Sequence, residues 1–109
     1  MMLQSNFAFM HYCPSDKVGY PHFLHFKAKE PESTYRLYAY ISNDASIELS
    51  VCAYTHEREL TPYQVERFKD KEAYHYLLPI LQRERLRIMV DGFSIKPLLE
   101  RYSFTEGEV

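Results

Sequence analysis

Along 33–55, STYRLYAYISNDASIELSVCAYT, apolar and polar positions alternate with the period of two that marks strands buried on one side. Tyr35, Leu37, Ala39 and Ile41 fall on one side of a first strand, and Ile47, Leu49, Val51 and Ala53 on one side of a second. These two sides coincide if Ile41 lies opposite Ile47, Ala39 opposite Leu49 and Leu37 opposite Val51. That register leaves Asn43, Asp44 and Ala45 as an odd-length hairpin loop, in which Asn and Asp suit left-handed backbone. The other side carries Arg36, Tyr38, Tyr40, Glu48, Cys52 and Tyr54, amphipathic side chains where an ordinary wetted face would hold Lys, Glu and Ser.

Two more strands precede this hairpin. In NFAFMHYC, from Asn6 to Cys13, the residues Phe7, Phe9, His11 and Cys13 alternate against Ala8, Met10 and Tyr12. Both sides are largely apolar, which places this strand away from a bare sheet edge. Pro14 to Tyr20 has loop composition, and from His22 to Lys29 a second strand sets Leu24, Phe26 and Ala28 opposite Phe23, His25 and Lys27.

After Tyr54 the period changes. Thr61-Pro62-Tyr63-Gln64 has the form of a capping box with Pro at the first helical position, and Leu60 with Val65 supplies a hydrophobic staple. Val65, Phe68, Ala73, Tyr76, Leu77 and Ile80 recur at helical spacing, so one helix is predicted from Pro62 to about Leu78. Asp70 is a candidate break, and Pro79 a stop or kink. RLRIMVDGFSI, from Arg85 to Ile95, reads as a second hairpin turning at Asp91-Gly92, because pairing Val90 with Phe93 puts Leu86, Ile88, Val90, Phe93 and Ile95 on one side. A competing reading makes Ser94 the cap of a short helix through Leu98, Leu99 and Tyr102. The predicted class is α+β: an antiparallel sheet of four to six strands, one main helix packed on one face, and a short C-terminal helix. Residues 1–109 are expected to form one domain, with 1–5 and 105–109 as frayed ends.

With 109 residues, such a domain buries roughly 65% of its unfolded surface without metal or disulfide support. Ten Tyr and seven Phe against no Trp give a core of Phe, Leu and Ile, with many phenols that need one end wet or hydrogen-bonded. Three Gly leave little supply for glycine-dependent sites. The formal net charge of −2 argues against a dedicated nucleic-acid binder. Cys13 and Cys52, the only cysteines, are expected as reduced thiols in a cytoplasmic protein, since the opening residues lack the charged start of an export leader. No apolar run reaches membrane-spanning length.

Candidate chemistry is sparse. His11 and Cys13 on one strand, met by His25 from its neighbour, would make a soft three-ligand set for zinc, while His22 and His25, three apart, should face opposite sides. The bland alternative is histidines hydrogen-bonded to their neighbours, and no metal or cofactor is expected. His56-Glu57-Arg58-Glu59-Leu60 opens like a zincin helix but puts Leu60 where the second His belongs. Neither Cys has an evident base beside it, and the carboxylates from Glu57 to Glu72 interleave with Arg and Lys as on a solvated helix.

Arg83, Arg85 and Arg87 form the one basic cluster, with Arg85 and Arg87 sharing a strand face. They would serve an RNA-binding module if they met phosphates, and they serve only the surface if they pair with carboxylates. The aromatic side of the central hairpin is the stronger candidate. Arg36, Tyr38, Tyr40, Glu48, Tyr54 and His56 are residue types that can anchor protein partners. The structural alternative is that these tyrosines lie beneath the chain's own helix. The expectation is therefore a non-enzymatic binding protein of the inhibitor, immunity or anti-defence kind, which occupies a partner protein with a basic surface. A homodimer built by strand addition at an exposed edge is the other possible assembly. Binding of nucleic acid through the Arg cluster, and a histidine-dependent metal protein or enzyme, are the alternatives.

Overall fold

The computed structural model describes residues 7–30, 33–53 and 63–107. Five strands, β1 (Phe7–Pro14), β2 (His22–Ala28), β3 (Tyr35–Ile41), β4 (Ile47–Ala53) and β5 (Tyr63–Lys69), form one antiparallel meander in sequence order. Three helices follow, α1 (Asp70–Arg83), α2 (Arg85–Val90) and α3 (Lys96–Gly107). This is the α+β arrangement that the alternation and the later change of period imply. The helices pack on one side of the sheet. There Phe7, Phe9, Leu24, Phe26, Leu37, Ile41, Ile47, Leu49 and Val51 bury against Ala73, Tyr74, Leu77, Ile80, Leu81, Ile88, Leu98 and Tyr102.

The central register is the one set by the apolar sides: Ile41 pairs with Ile47, Ala39 with Leu49 and Leu37 with Val51. Its turn has Ala45 N–H bonding to Ser42 O at 3.0 Å, with Ala45 at φ 70°. A type I turn followed by one left-handed residue is the usual three-residue loop. The left-handed residue is Ala45, whereas Asn43 and Asp44 were the expected ones. Arg101 donates to Asp44 O and the Tyr102 hydroxyl to Ala45 O at 3.1 Å, so α3 holds the loop in place.

Five sequence expectations are corrected. In β1 a bulge between Phe9 and His11 shifts the register, so Phe7 and Phe9 point to the core while His11 and Cys13 turn to the opposite side. Tyr12 thereby faces inward and packs on Phe93 at 5.1 Å. β1 is an edge strand, and the helical layer covers its free edge: Arg83 donates to Phe7 O, and Tyr12 N–H donates to Asp91 Oδ2 at 2.7 Å. That protection takes the place of a second neighbouring strand.

The helix expected from Pro62 begins only at Asp70. Residues 63–69 are strand because β4 would otherwise leave a row of backbone groups unpaired. Pairing Leu49 with Phe68 and Ser50 with Arg67 fills that edge and puts Phe68 on the core side; tertiary context outweighs local propensity here. The cap at Thr61 and Pro62, and the staple's Leu60, lie outside the described residues. Asp70, the candidate break, is the corner itself, at φ 48° with its carboxylate accepting the Ile47 N–H. Helix α1 then runs through Pro79 to Arg83. The missing N–H is tolerated because Pro79 sits on the exposed side.

The hairpin expected over Arg85–Ile95 is instead α2 and its C-terminal cap. Gly92, at φ 109°, donates to Met89 O at 2.9 Å, and Phe93 donates to Ile88 O at 3.2 Å. These are the paired bonds of a Schellman motif, with Ile88 and Phe93 as its buried apolar contact. The same Asp-Gly pair suits both turns because both need a positive φ. Ser94 does precede a helix: its hydroxyl accepts the Lys96 N–H, and Leu98 and Tyr102 face the core. The expected frayed end at 1–5 lies outside the described residues.

Candidate functional site

With the helices on one side, cross-strand pairs build the outward side of the sheet among the described residues. Its centre is a run of rings contributed by β1, β2 and β3. His11 lies opposite His25, His25 opposite Tyr38, and Phe23 opposite Tyr40. Ring centroids are 5.1 Å apart for His11–His25, 5.2 Å for His25–Tyr38, 5.4 Å for Phe23–Tyr38 and 5.1 Å for Phe23–Tyr40. Most of these rings meet their neighbours at a tilt, and Phe23 lies nearly parallel to His25 at 21°, both favoured geometries of aromatic pairs. None of these rings belongs to the buried core cluster, and Phe23, His25, Tyr38 and Tyr40 are half-buried.

Beside the rings lies a charged corner. Glu48, opposite Tyr40, is only 3% exposed, and its carboxylate is met by Lys17 at 3.1 Å and by Arg67. Burial alone would raise its pKa, but the two cationic donors outweigh that and hold the carboxyl below its ordinary value. Lys17 reaches this corner from the β1–β2 loop and lies over the Tyr40 ring, 5.4 Å from its centroid. Burial pushes the Tyr40 phenol up. It also lowers His25, further assisted by His11, Arg36 and Lys27, to about 4. His25 is therefore neutral at neutral pH, and its Nε2 has no hydrogen-bond partner among the described residues.

Of the residues expected at a partner surface, Arg36, Tyr38, Tyr40 and Glu48 come together on this side, by the register of β3 with β4. Tyr54 and His56 lie outside the described residues. Sequence reasoning missed Phe23, His25, His11, Lys17 and Arg67. The outward set of β2 was legible, but the register that sets it against Tyr38 and Tyr40 was not. Lys17 carries no periodic signal at all.

The other candidates separate. His22 faces the core side, opposite in sense to His25 as expected, with Nδ1 2.8 Å from the Tyr12 hydroxyl and Nε2 3.2 Å from Asn43 Oδ1. Because that amide oxygen only accepts, Nε2 carries the proton and Nδ1 accepts from the phenol. His11, Cys13 and His25 share the outward side, yet among the described residues no three His, Cys, Asp or Glu side chains gather closely enough for a metal. Cys13 and Cys52 are free thiols, and burial raises the Cys52 pKa, away from a nucleophile's requirement. The zincin-like stretch from His56 to Leu60 lies outside the described residues.

Arg83, Arg85 and Arg87 do not form a phosphate site on a strand. They lie at the junction of α1 and α2, where Arg83 and Arg87, at 3.3 and 3.2 Å, bond the two carboxylate oxygens of Glu84, itself 5% exposed. Arg85 points away, exposed. Next to this junction a shallow groove of about 310 Å³ is lined by Phe9, Met10, Leu86, Arg87, Val90 and Asp91. Its charged members are already engaged, Arg87 with Glu84 and Asp91 with Tyr12, so it does not assemble an acid and a base. No helix among the described residues is long and apolar enough to cross a membrane. Comparison with protein-family models, with curated proteins and with solved structures finds no match.

Proposed function

We propose that the protein is a non-enzymatic binding module of the inhibitor, immunity or anti-defence kind, and that the outward side of its sheet is the surface that occupies a partner protein. One observation carries this reading. The three helices pack on the core side, while Phe23, Tyr38 and Tyr40 form a contiguous ring cluster on the other side. Rings of this type, half-buried and braced by their neighbours, present large contact area with little side-chain entropy left to lose on binding. Arg36 and the phenol hydroxyls supply polar tips around them.

A photo-reactive amino acid in place of Tyr38, or of Glu100 on α3 as control, tests the reading in the protein's native cell. An adduct with one protein from position 38, absent from position 100, is the expected result. The adducted protein, once purified, should bind the Phe23→Ala/Tyr38→Ala chain at least about tenfold more weakly than the unaltered chain, with cooperative unfolding retained. Undiminished binding by that folded variant overturns the assignment, as does an adduct from position 100 alone.

A further inference from the structure

Resting on that docking surface, we infer that its partner presents an acidic patch of protein, the reverse of the basic partner that the chain's net charge suggests. The chain carries 13 Lys and Arg against 15 Asp and Glu, but the sheet divides them unevenly. Among the described residues, the outward strand positions hold Lys27, Arg36, Arg67 and Lys69, and the β1–β2 loop adds Lys17 beside Asp16. The only carboxylate among those strand positions is Glu48, which is buried and already paired with Lys17 and Arg67. Lys27 lies directly opposite Arg36, so two cationic side chains stand side by side on this side of the sheet. In the helical layer and the loops joining its helices, Asp70, Glu72, Glu84, Asp91 and Glu100 are offset by Lys71, Arg83, Arg85, Arg87, Lys96 and Arg101. A protein surface that buries the rings therefore meets a cationic rim, and carboxylates are its complement.

Nucleic acid would also be anionic, but two observations favour protein. The rings brace one another at interplanar angles from 21° to 81°, with only Phe23 and His25 near parallel, giving a packed tile in place of the separate parallel faces on which bases stack. The net negative charge of the whole chain also opposes a long polyanion more than a compact acidic patch.

The test titrates the isotope-labelled full chain with two probes, a decaglutamate peptide and a dodecauridine strand, at low salt and with added salt, followed by amide chemical shifts. The expected result is that decaglutamate shifts the amides of Lys17, Lys27 and Arg36, with binding weakened about tenfold by the Lys27→Glu/Arg36→Glu pair and by added salt. Reversing both residues keeps that cross-strand pair like-charged, and an unchanged unfolding midpoint checks that the fold accepts the exchange. Tighter binding of dodecauridine at the same amides overturns the inference in favour of nucleic acid. Absence of shifts on β2 and β3 with either probe also overturns it. The docking surface is judged separately: if the purified partner loses affinity for Phe23→Ala/Tyr38→Ala but not for Lys27→Glu/Arg36→Glu, the surface stands and the acidic partner falls.

Discussion

Replacing Leu37 with Ala and, in a second chain, its neighbour Tyr38 with Ala compares the two sides of β3 at adjacent positions of one strand. Leu37 is 0% exposed and belongs to the core between the sheet and the helices. Its truncation removes the transfer energy of the lost carbons and leaves a void that a sheet pinned by four ladders cannot collapse, together about 3–5 kcal/mol. Tyr38 loses ring contacts with Phe23 and His25, each worth about 0.5–1.5 kcal/mol when fully enclosed. Because the ring is half-exposed, the expected cost is about 1–2 kcal/mol. Urea unfolding followed by far-ultraviolet dichroism measures both, with similar slopes against denaturant if the unfolded surface is the same. The expected outcome is that Leu37→Ala loses at least about 2 kcal/mol more than Tyr38→Ala. Equal losses would mean that Tyr38 is core, and the premise of an open ring surface would be refuted.

Three further outcomes are expected. His25 titrates near 6.5 unfolded and near 4 folded, so the folded chain binds fewer protons between those values. Its contribution is complete above pH 6.5 and lost as pH falls to 4, roughly 1 kcal/mol after screening of a half-exposed ring; His25→Phe should flatten that slope in thermal unfolding. Glu48, held below its ordinary 4.5, should add a further loss only below that pH. Glu84→Gln leaves Arg83 and Arg87 without their shared carboxylate and should cost about 1–3 kcal/mol by denaturant midpoint, reduced from a fully buried case because Arg87 is exposed. Gly92→Ala places a Cβ in ordinary contact, 4.0 Å from the Tyr12 ring, so its expected loss of about 1–2 kcal/mol is backbone strain alone; Gly92→Asn should lose less.

Each correction has its own physical origin. Residues 63–69 carry enough helical start signals to read as helix, and only the unpaired edge of β4, absent from any local window, makes them strand. Asp91-Gly92 reports a positive φ faithfully but not which turn uses it, because a Schellman cap and a tight hairpin ask the same of glycine. The β1 bulge has no compositional mark, yet it sends His11 and Cys13 outward in company with His25. The partner-surface residues Arg36, Tyr38, Tyr40 and Glu48 were legible because one hairpin's alternation groups them. Phe23, His25 and Lys17 were not, because they join through the β2–β3 register and a loop.

Alternation in the chain by itself determined the central hairpin, its register and the division of its side chains into an apolar and an aromatic side, since a strand has only two sides and burial claims one. Tertiary structure alone decided which side the helices cover, that Glu48 sits buried between two cations, and that Lys17 joins Lys27, Arg36 and Arg67 on the side that carries the rings. Those outcomes depend on the directions in which distant segments return to the sheet, and no local pattern of residues encodes such a direction.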